Sequence, residues 1–289
     1  VRERIRREGP LRAAHFERQG GKGNGWWDWK PEKIALESLF ARGELMVARR
    51  DNFQRVYDLR ERVLPGWDDA QLPSPEEAQR SLLLKAVRAL GVATAPWAAE
   101  YYRIRREDAI PLMEGLLAEG RLTAAQVEGW DEPAYLHPEQ ASLAEAAAAG
   151  ALQPALTTLL SPFDPLVANR RRTRTVFGFD FSLECYLPAE KRRYGYFCLP
   201  ILRRGELAGR LDAKAHRKEG LFEVRALYLE PGVAADEALV ADLAGAIAGC
   251  AAWHGTPRVA VQSSDPADLA PRLEQALAQY DGAAGRGSA

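Results

Sequence analysis

The chain has 289 residues, of which 47% are hydrophobic, and its formal net charge is −1. A chain of this size has enough apolar material for two or three domains of ordinary size. Its sequence has neither a charged-then-apolar leader nor the roughly 20 consecutive apolar residues of a membrane span, which argues against a membrane protein and favours a cytoplasmic one.

The first 64 residues predict a basic winged helix. Residues 1–8 predict a basic helix that ends at Gly9-Pro10, and residues 11–19 predict a short second helix. Because the chain begins without Met inside a predicted helix, we expect the sequence to be N-terminally incomplete.

A third helix and a hairpin complete this predicted unit. The helix has Pro31 in its first turn, where a missing N–H is tolerated, and it ends at Gly43. Residues 45–59 predict two short strands around the turn Arg50-Asp51-Asn52, because Asp and Asn accept turn dihedrals. A helix followed by a basic hairpin is typical of the second half of a winged helix.

An internal repeat predicts a second unit of the same kind. A shift of 77 residues aligns residues 36–45 with residues 113–122, so that apolar, acidic and glycine positions coincide. That period equals one small domain and is too long for a solenoid repeat. We therefore expect residues 74–140 to form a second winged helix. Its helices are predicted at residues 75–90 and 95–104, and its wing at residues 123–137. Because this wing carries Glu128, Asp131 and Glu132, we expect it to act as a scaffold.

Residues 141–281 predict a β-rich α+β domain, so the expected fold class is α+β. It begins with an alanine-rich helix over residues 142–160 and continues with two hairpins. The strands of the first hairpin are residues 182–187 and 194–202, around a cationic tip at residues 188–193. The second has strands 207–216 and 221–229. Helices 234–254 and 269–279 and a strand 258–262 follow, and residues 282–289 predict a disordered tail.

The four histidines and three cysteines are scattered and have no metal-ligand spacing. We therefore expect no metal site and no cofactor, and in a reducing cytosol we interpret the cysteines as packed thiols.

The charges are unevenly distributed. Residues 1–62 hold 15 Lys and Arg against 10 Asp and Glu, and residues 161–230 hold 14 against 9, so each block is +5. The block between them, residues 63–160, holds 7 against 14. Two basic blocks separated by an acidic one suit a phosphate-facing surface, although uneven charge is also common on ordinary surface helices.

Five segments resemble a known family: GWWDWKPEK (25–33), NFQRVYDL (52–59), LSPFDPL (160–166), ECYLPAEKRRYGYF (184–197) and GRLDAK (209–214). They closely resemble the YcaQ/AlkZ-like winged-helix DNA glycosylases of bacteria, in collinear order to about Val261. The resemblance implies tandem winged helices, hydrolysis of the N-glycosidic bond of bulky N7-alkylpurines, and unhooking of interstrand crosslinks. It also implies double-stranded DNA, alkylated or crosslinked, as the partner, and association with the nucleoid when the protein is bound to DNA. We expect a monomer.

The resemblance assigns no catalytic residue to this chain. The family's catalytic Gln-x-Asp or Gln-x-Gln motif lies in an earlier winged helix, which we expect upstream of Val1. Gln262-Ser-Ser-Asp265 differs from the motif in place and spacing. We therefore expect the chain by itself to be inactive.

Three basic elements are predicted to bind DNA, because a two-stranded ribbon fits a groove and its tip projects from the sheet. They are the first wing (Arg49, Arg50, Arg55), the tip of the first C-terminal hairpin (Lys191, Arg192, Arg193), and the hairpin of residues 209–220 (Arg210, Lys214, His216, Arg217, Lys218). Alternation places Arg210, Asp212, Lys214 and His216 on one face of a strand, and it places Leu207, Gly209, Leu211, Ala213 and Ala215 on the other. We expect this hairpin to make the main contact. The alternative interpretation of that row is the solvated side of a half-buried sheet.

Two other functions remain open: a DNA-binding regulator without catalysis, and a protein-interaction scaffold whose basic patches are incidental. A Gln-x-Asp or Gln-x-Gln motif upstream of Val1 in the gene favours the enzyme, and a start codon near Val1 opposes it.

Overall fold

The computed structural model describes residues 1–16 and 29–284. It is an α+β structure that divides into two compact units, Val1–Ser74 and Pro75–Ala289. In the part of the chain that the structure describes, no helix is long and apolar enough to cross a membrane.

The first unit packs helices against one hairpin. Its elements are α1 (Arg2–Glu8), α2 (Pro31–Ala41), β1 (Leu45–Asp51), β2 (Gln54–Leu59) and α3 (Arg60–Val63). The core is formed by Ile5, Leu11, Phe16, Leu36, Leu39, Leu45, Tyr57 and Leu59. The predicted helices over residues 1–8 and from Pro31, and the two strands after Gly43, are confirmed.

Two details of this unit differ from the prediction. Leu11 does not begin a helix; its backbone pairs with Tyr57 of β2, and only a single 3-10 turn, Ala13–His15, follows. The strand edge therefore satisfies the N–H and C=O of Leu11, and residues 17–19 of the predicted helix lie outside the described residues. The hairpin turn is formed by Asn52 and Phe53, both at positive φ, because a two-residue turn of this hand matches the strand twist.

The second unit begins with a helical part and a small sheet. Its elements are α4 (Pro75–Leu90), β3 (Val92–Thr94), α5 (Ala95–Tyr101), α6 (Arg106–Ala118), β4 (Thr123–Ala125) and β5 (Ala134–Leu136). The strand order is β3-β5-β4, and all neighbours are antiparallel. Helix α5 ends three residues earlier than predicted.

The 77-residue repeat has a structural counterpart. Leu36 of α2 and Met113 of α6 are both fully buried, and the next matched pair, Leu39 and Leu116, is buried as well. Each helix is followed by a glycine with a left-handed φ, 72° at Gly43 and 71° at Gly120. The leucine two residues further on is buried in both copies. The same apolar positions thus belong to the hydrophobic core in both copies of the repeat.

The rest of the second unit is built on a six-stranded sheet of order β10-β9-β8-β7-β6, with β11 beside β9. Its strands are β6 (Thr157–Leu159), β7 (Cys198–Arg203), β8 (Glu206–His216), β9 (Leu221–Leu229), β10 (Arg258–Val261) and β11 (Ser264–Asp265). Its helices are α7 (Ala141–Ala148), α8 (Pro165–Ala168), α9 (Arg170–Phe177), α10 (Glu237–Trp253) and α11 (Leu269–Ala284). One sheet face packs on α10 and α11 around Leu211, Val224, Leu243 and Leu273.

Three predictions in this part are wrong. The alanine-rich helix ends at Ala148, after which Gly150 is left-handed and β6 pairs with β7, so it does not reach residue 160. Residues 182–187 form no strand and belong to a loop with two 3-10 turns, Glu184–Tyr186 and Ala189–Lys191. Of the second predicted strand, residues 198–202 are confirmed as part of β7. Of the predicted tail, residues 282–284 belong to α11, and the remainder lies outside the described residues. The hairpin β8–β9, α10 and β10 are confirmed.

Candidate nucleic-acid interface

The hairpin of the first unit carries three arginines that differ in their partners. Arg49 pairs with Asp51 at 3.1 Å, and Arg55 pairs with Glu37 of α2 at 2.8 Å. Arg50 lies opposite Arg55 across the ladder and donates a hydrogen bond from Nη1 to the carbonyl of Phe53, at 3.3 Å. All three side chains remain partly exposed and are therefore accessible to a ligand. The contact of this hairpin with DNA stays a prediction.

Arg210 does not lie on a solvated face. Its side chain is 4% exposed, Nη2 donates to Oε1 of Glu230 at 2.7 Å, and the rings of Phe179 and Tyr194 lie 4.3 Å from the guanidinium carbon. Strand β8 is central in the sheet, and its residues 207–212 are all buried. The prediction that Arg210 and Asp212 form an exposed row with Lys214 is therefore wrong, and Arg210 is a buried structural cation.

Irregular pairing causes a second departure from strict alternation, at the start of the same strand. Ile201 pairs with Gly209 but Leu202 pairs with Leu207, so β8 has one extra residue there. As a result, Leu207 joins the cluster around Phe179, whereas Leu211 packs on the helices. Strict alternation had placed both on one face.

The end of the hairpin β8–β9 does reach the surface. Lys214, Arg217 and Lys218 are exposed, and neither lysine has a side-chain partner among the described residues. His216 bonds to Glu223 at 3.0 Å, and hydrogen bonds from His216 and Arg225 hold the pKa of Glu223 below its usual range. Arg217 lies 3.3 Å from Nδ1 of His254. The contact of this end with DNA stays a prediction.

The loop between α9 and β7 is anchored by two buried carboxylates. Glu184 accepts hydrogen bonds from the backbone N–H groups of Tyr194, at 2.9 Å, and Gly195, at 3.3 Å. Asp212 of β8 accepts from the N–H of Phe197 at 3.4 Å. A Cβ at Gly195 would stand 2.5 Å from Cγ of Asp212, so the close approach of loop and strand needs glycine there.

The same carboxylates surround a thiol. Burial, together with the charges of Asp212 and Glu184, raises the pKa of Cys198 to about 12. At neutral pH the thiol therefore stays protonated and packs as a small apolar group. Within the described ranges, no group of three or more His, Cys, Asp or Glu residues could hold a metal ion.

The anchored loop presents cations and aromatic rings together. Tyr186 is 78% exposed and Tyr196 is 52% exposed. Arg192 stacks on Tyr196 at 4.9 Å from guanidinium carbon to ring centroid, and Arg193 stacks on Tyr194 at 4.8 Å. We call this set the loop patch; it comprises the half-buried Arg192 and the exposed residues Tyr186, Lys191, Arg193, Tyr196 and Phe197. Rings stack on bases and cations pair with phosphates, so this combination suits nucleic acid.

The sequence prediction found the three cations of the loop patch but missed its aromatic residues and its carboxylate anchors. Its cations lie on a loop rather than on a hairpin tip. The sequence does carry a signal for the missed residues, because the segment ECYLPAEKRRYGYF (184–197) places a glutamate and several aromatic residues around the three cations. The start of another such segment, residues 25–28, lies outside the described residues.

Comparison with known proteins identifies the family. The model of the family described as "DNA glycosylase AlkZ-like" matches residues 1–253, which is most of the chain. No solved structure matches the chain. The chain therefore belongs to the AlkZ-like DNA glycosylases, a family of DNA-binding repair enzymes.

Proposed function

We propose that this chain holds duplex DNA that carries bulky N7-alkylated purines or interstrand crosslinks, for hydrolysis of the N-glycosidic bond. The observation that carries the proposal is the loop patch, in which three cations and three exposed aromatic rings are fixed by Glu184 and Asp212. A preformed patch of this kind binds with little loss of conformational entropy, because its backbone is already ordered.

We also propose that residues 1–64 and 74–140 are two winged helices in tandem. In support, α2 and α6 are each followed by a left-handed glycine and two antiparallel strands. The acidic second wing, with Glu132 close to Arg106 and Arg171, suits a scaffold better than a phosphate contact.

The chemistry constrains which residues react. N7 alkylation turns the purine into a cationic leaving group, so the enzyme must stabilise an oxocarbenium-like sugar and position a water. In residues 1–253, no Gln is followed two positions later by Asp or Gln. Gln279-Tyr280-Asp281 has that spacing, which the sequence prediction overlooked, but it lies in α11 beyond the family match. We therefore propose that the matched region binds and positions DNA and that this chain contributes no reacting group.

The chain as given is expected not to release 7-methylguanine from methylated duplex DNA above the background without protein. The reason is the lack of the motif in the matched residues. Chromatography of the released bases measures this, with heat-depurinated DNA as the positive control. Release by the wild-type chain would contradict the expectation, and its loss in Gln279→Ala would assign the chemistry to α11.

Binding of the wild-type chain to a 20-base-pair duplex is expected to weaken steeply as salt rises, because Lys and Arg release counterions from phosphates. Replacing Lys191 and Arg193 together by Ala should weaken binding and lower the salt slope by about two. Fluorescence anisotropy across a salt series measures both quantities.

The matched control replaces Lys85 and Arg121 by Ala. Both are exposed and both lie in the acidic block, so this variant makes the same change in net charge. If the loop-patch variant and this control lose the same DNA affinity, the overall charge of the chain rather than the loop patch determines binding. Lys214→Ala combined with Arg217→Ala, measured in the same way, ranks the end of the β8–β9 hairpin against the loop patch.

A further inference from the structure

The tip of the first hairpin presents one bare aromatic ring. Phe53 is 92% exposed, the largest exposure among the large apolar residues that the structure describes. It follows Asn52 in the two-residue turn between β1 and β2, and both residues have a left-handed φ, 48° and 67°. Asn tolerates this conformation, but for Phe it is strained, and Gly would adopt it freely.

The hairpin holds this tip in place. Arg50 donates to the carbonyl of Phe53 at 3.3 Å, which fixes the turn from below. The strand ladder continues to the pair Asp51 and Gln54, immediately beside the turn. Arg55 is bound to Glu37 of α2, so the strand that leads away from the tip is tied to the body of the unit. The ring therefore projects from a braced support rather than from a loose loop.

An exposed apolar ring in a strained backbone position is unfavourable in water, and Arg49 and Arg50 flank it. The ring does not improve the packing of the unit, since the core residues lie at the other end of the hairpin, and the partners of the two arginines belong to the hairpin itself. Apolar side chains that project between cations are how proteins unstack base pairs: the cations hold the phosphates and the ring enters the base stack.

We propose that Phe53 inserts into the base stack of duplex DNA at a site where stacking is already weakened, and occupies the space of an unstacked base. The inference rests on the proposed function, because it needs the chain to bind duplex DNA. It adds a recognition element for damaged duplexes on the first unit, distinct from the loop patch. Arg49 and Arg50 contact the phosphates on either side of the opened step.

The test compares wild type, Phe53→Gly and Phe53→Trp on two duplexes of one sequence. One duplex is intact, and the other contains a central tetrahydrofuran abasic site next to 2-aminopurine. We expect wild type to prefer the abasic duplex and to change the fluorescence of 2-aminopurine.

Phe53→Gly should lose about tenfold in affinity for the abasic duplex, which is within the range of one base–aromatic stack. Its affinity for the intact duplex and its salt slope should not change, and Phe53→Trp should keep the preference.

The possible results separate the two proposals. Phe53→Gly removes a strained side chain from the surface and keeps the turn, so its thermal stability should not fall. A preference for the abasic duplex that is equal in wild type and Phe53→Gly would overturn the insertion. If Phe53→Gly loses the same affinity for both duplexes and has a lower salt slope, the insertion is also overturned. Phe53 would then only shape the cationic tip. Absence of salt-dependent binding by wild type would overturn the proposed function as well.

Discussion

Replacing Arg210 by Ala is expected to lower the free energy of unfolding of the second unit by about 3 kcal/mol. The change leaves Glu230 without its cation and removes a guanidinium that fills the space between Phe179 and Tyr194. Breaking a buried pair typically costs about 3–5 kcal/mol, and the partial exposure of Glu230 puts this one at the low end. Urea denaturation followed by circular dichroism measures the difference.

Lys214→Ala is the control for this variant. Lys214 is an exposed cation on the same strand, so we expect its replacement to change the stability by less than about 0.5 kcal/mol. An Arg210→Ala variant with unchanged stability and weakened DNA binding would return Arg210 to the DNA-contacting residues. We expect the opposite result: Arg210 stabilises the fold, and Lys214 contacts DNA.

The second large effect is expected at Gly209. A Cβ on this residue would stand 2.3 Å from the carbonyl oxygen of Tyr228 and 3.1 Å from Cα of Leu229. Both atoms belong to the backbone of β9, which cannot move away without opening the longest ladder of the sheet. Because inserting even one carbon into a packed region costs about 1–3 kcal/mol, Gly209→Ala should destabilise the unit by about 3 kcal/mol.

Gly249→Ala makes the same chemical change where nothing opposes it. Gly249 lies within α10, is exposed, and has no atom within 4 Å of the position of its missing Cβ. Since Ala is a better helix former than Gly, the free energy of unfolding of this variant should rise by about 0.5–1 kcal/mol. We expect the free energy of unfolding to fall in Gly209→Ala and to rise in Gly249→Ala. Similar changes in the two variants would contradict the close approach of β8 and β9. Differential scanning calorimetry compares them directly.

The elements that sequence patterns predicted well are those whose own residues carry the whole signal. Helix α4 shows an apolar face and ends immediately before Gly91, and the strands of the hairpin β8–β9 flank a polar turn. The 77-residue repeat worked because buried positions and left-handed glycines are required wherever the same unit forms, so Leu36 and Met113 had to match. Family membership was equally accessible, since the segments that carry it are contiguous.

The errors share one physical cause, which is that burial depends on what the other side of an element meets. Alternation along β8 is compatible with a solvated face, but Phe179 and Tyr194 cover that face and turn Arg210 into a buried cation. Residues 182–187 have strand-like composition, yet Glu184 bonds to the backbone of Tyr194 and Gly195 and holds them as a loop. Leu11 pairs with Tyr57, a partner 46 positions away, which no local pattern indicates.

For this protein, the sequence by itself determined the α+β class, the repeated helix-and-hairpin units and the family, because periodicity, glycine positions and contiguous motifs are local properties. Only the tertiary structure decided which cations face solvent, where the carboxylates anchor the loop patch, and that Phe53 stands bare at a braced tip. Those outcomes depend on contacts between residues far apart in the chain, and the free energy of burying a charge or exposing a ring is settled by those contacts.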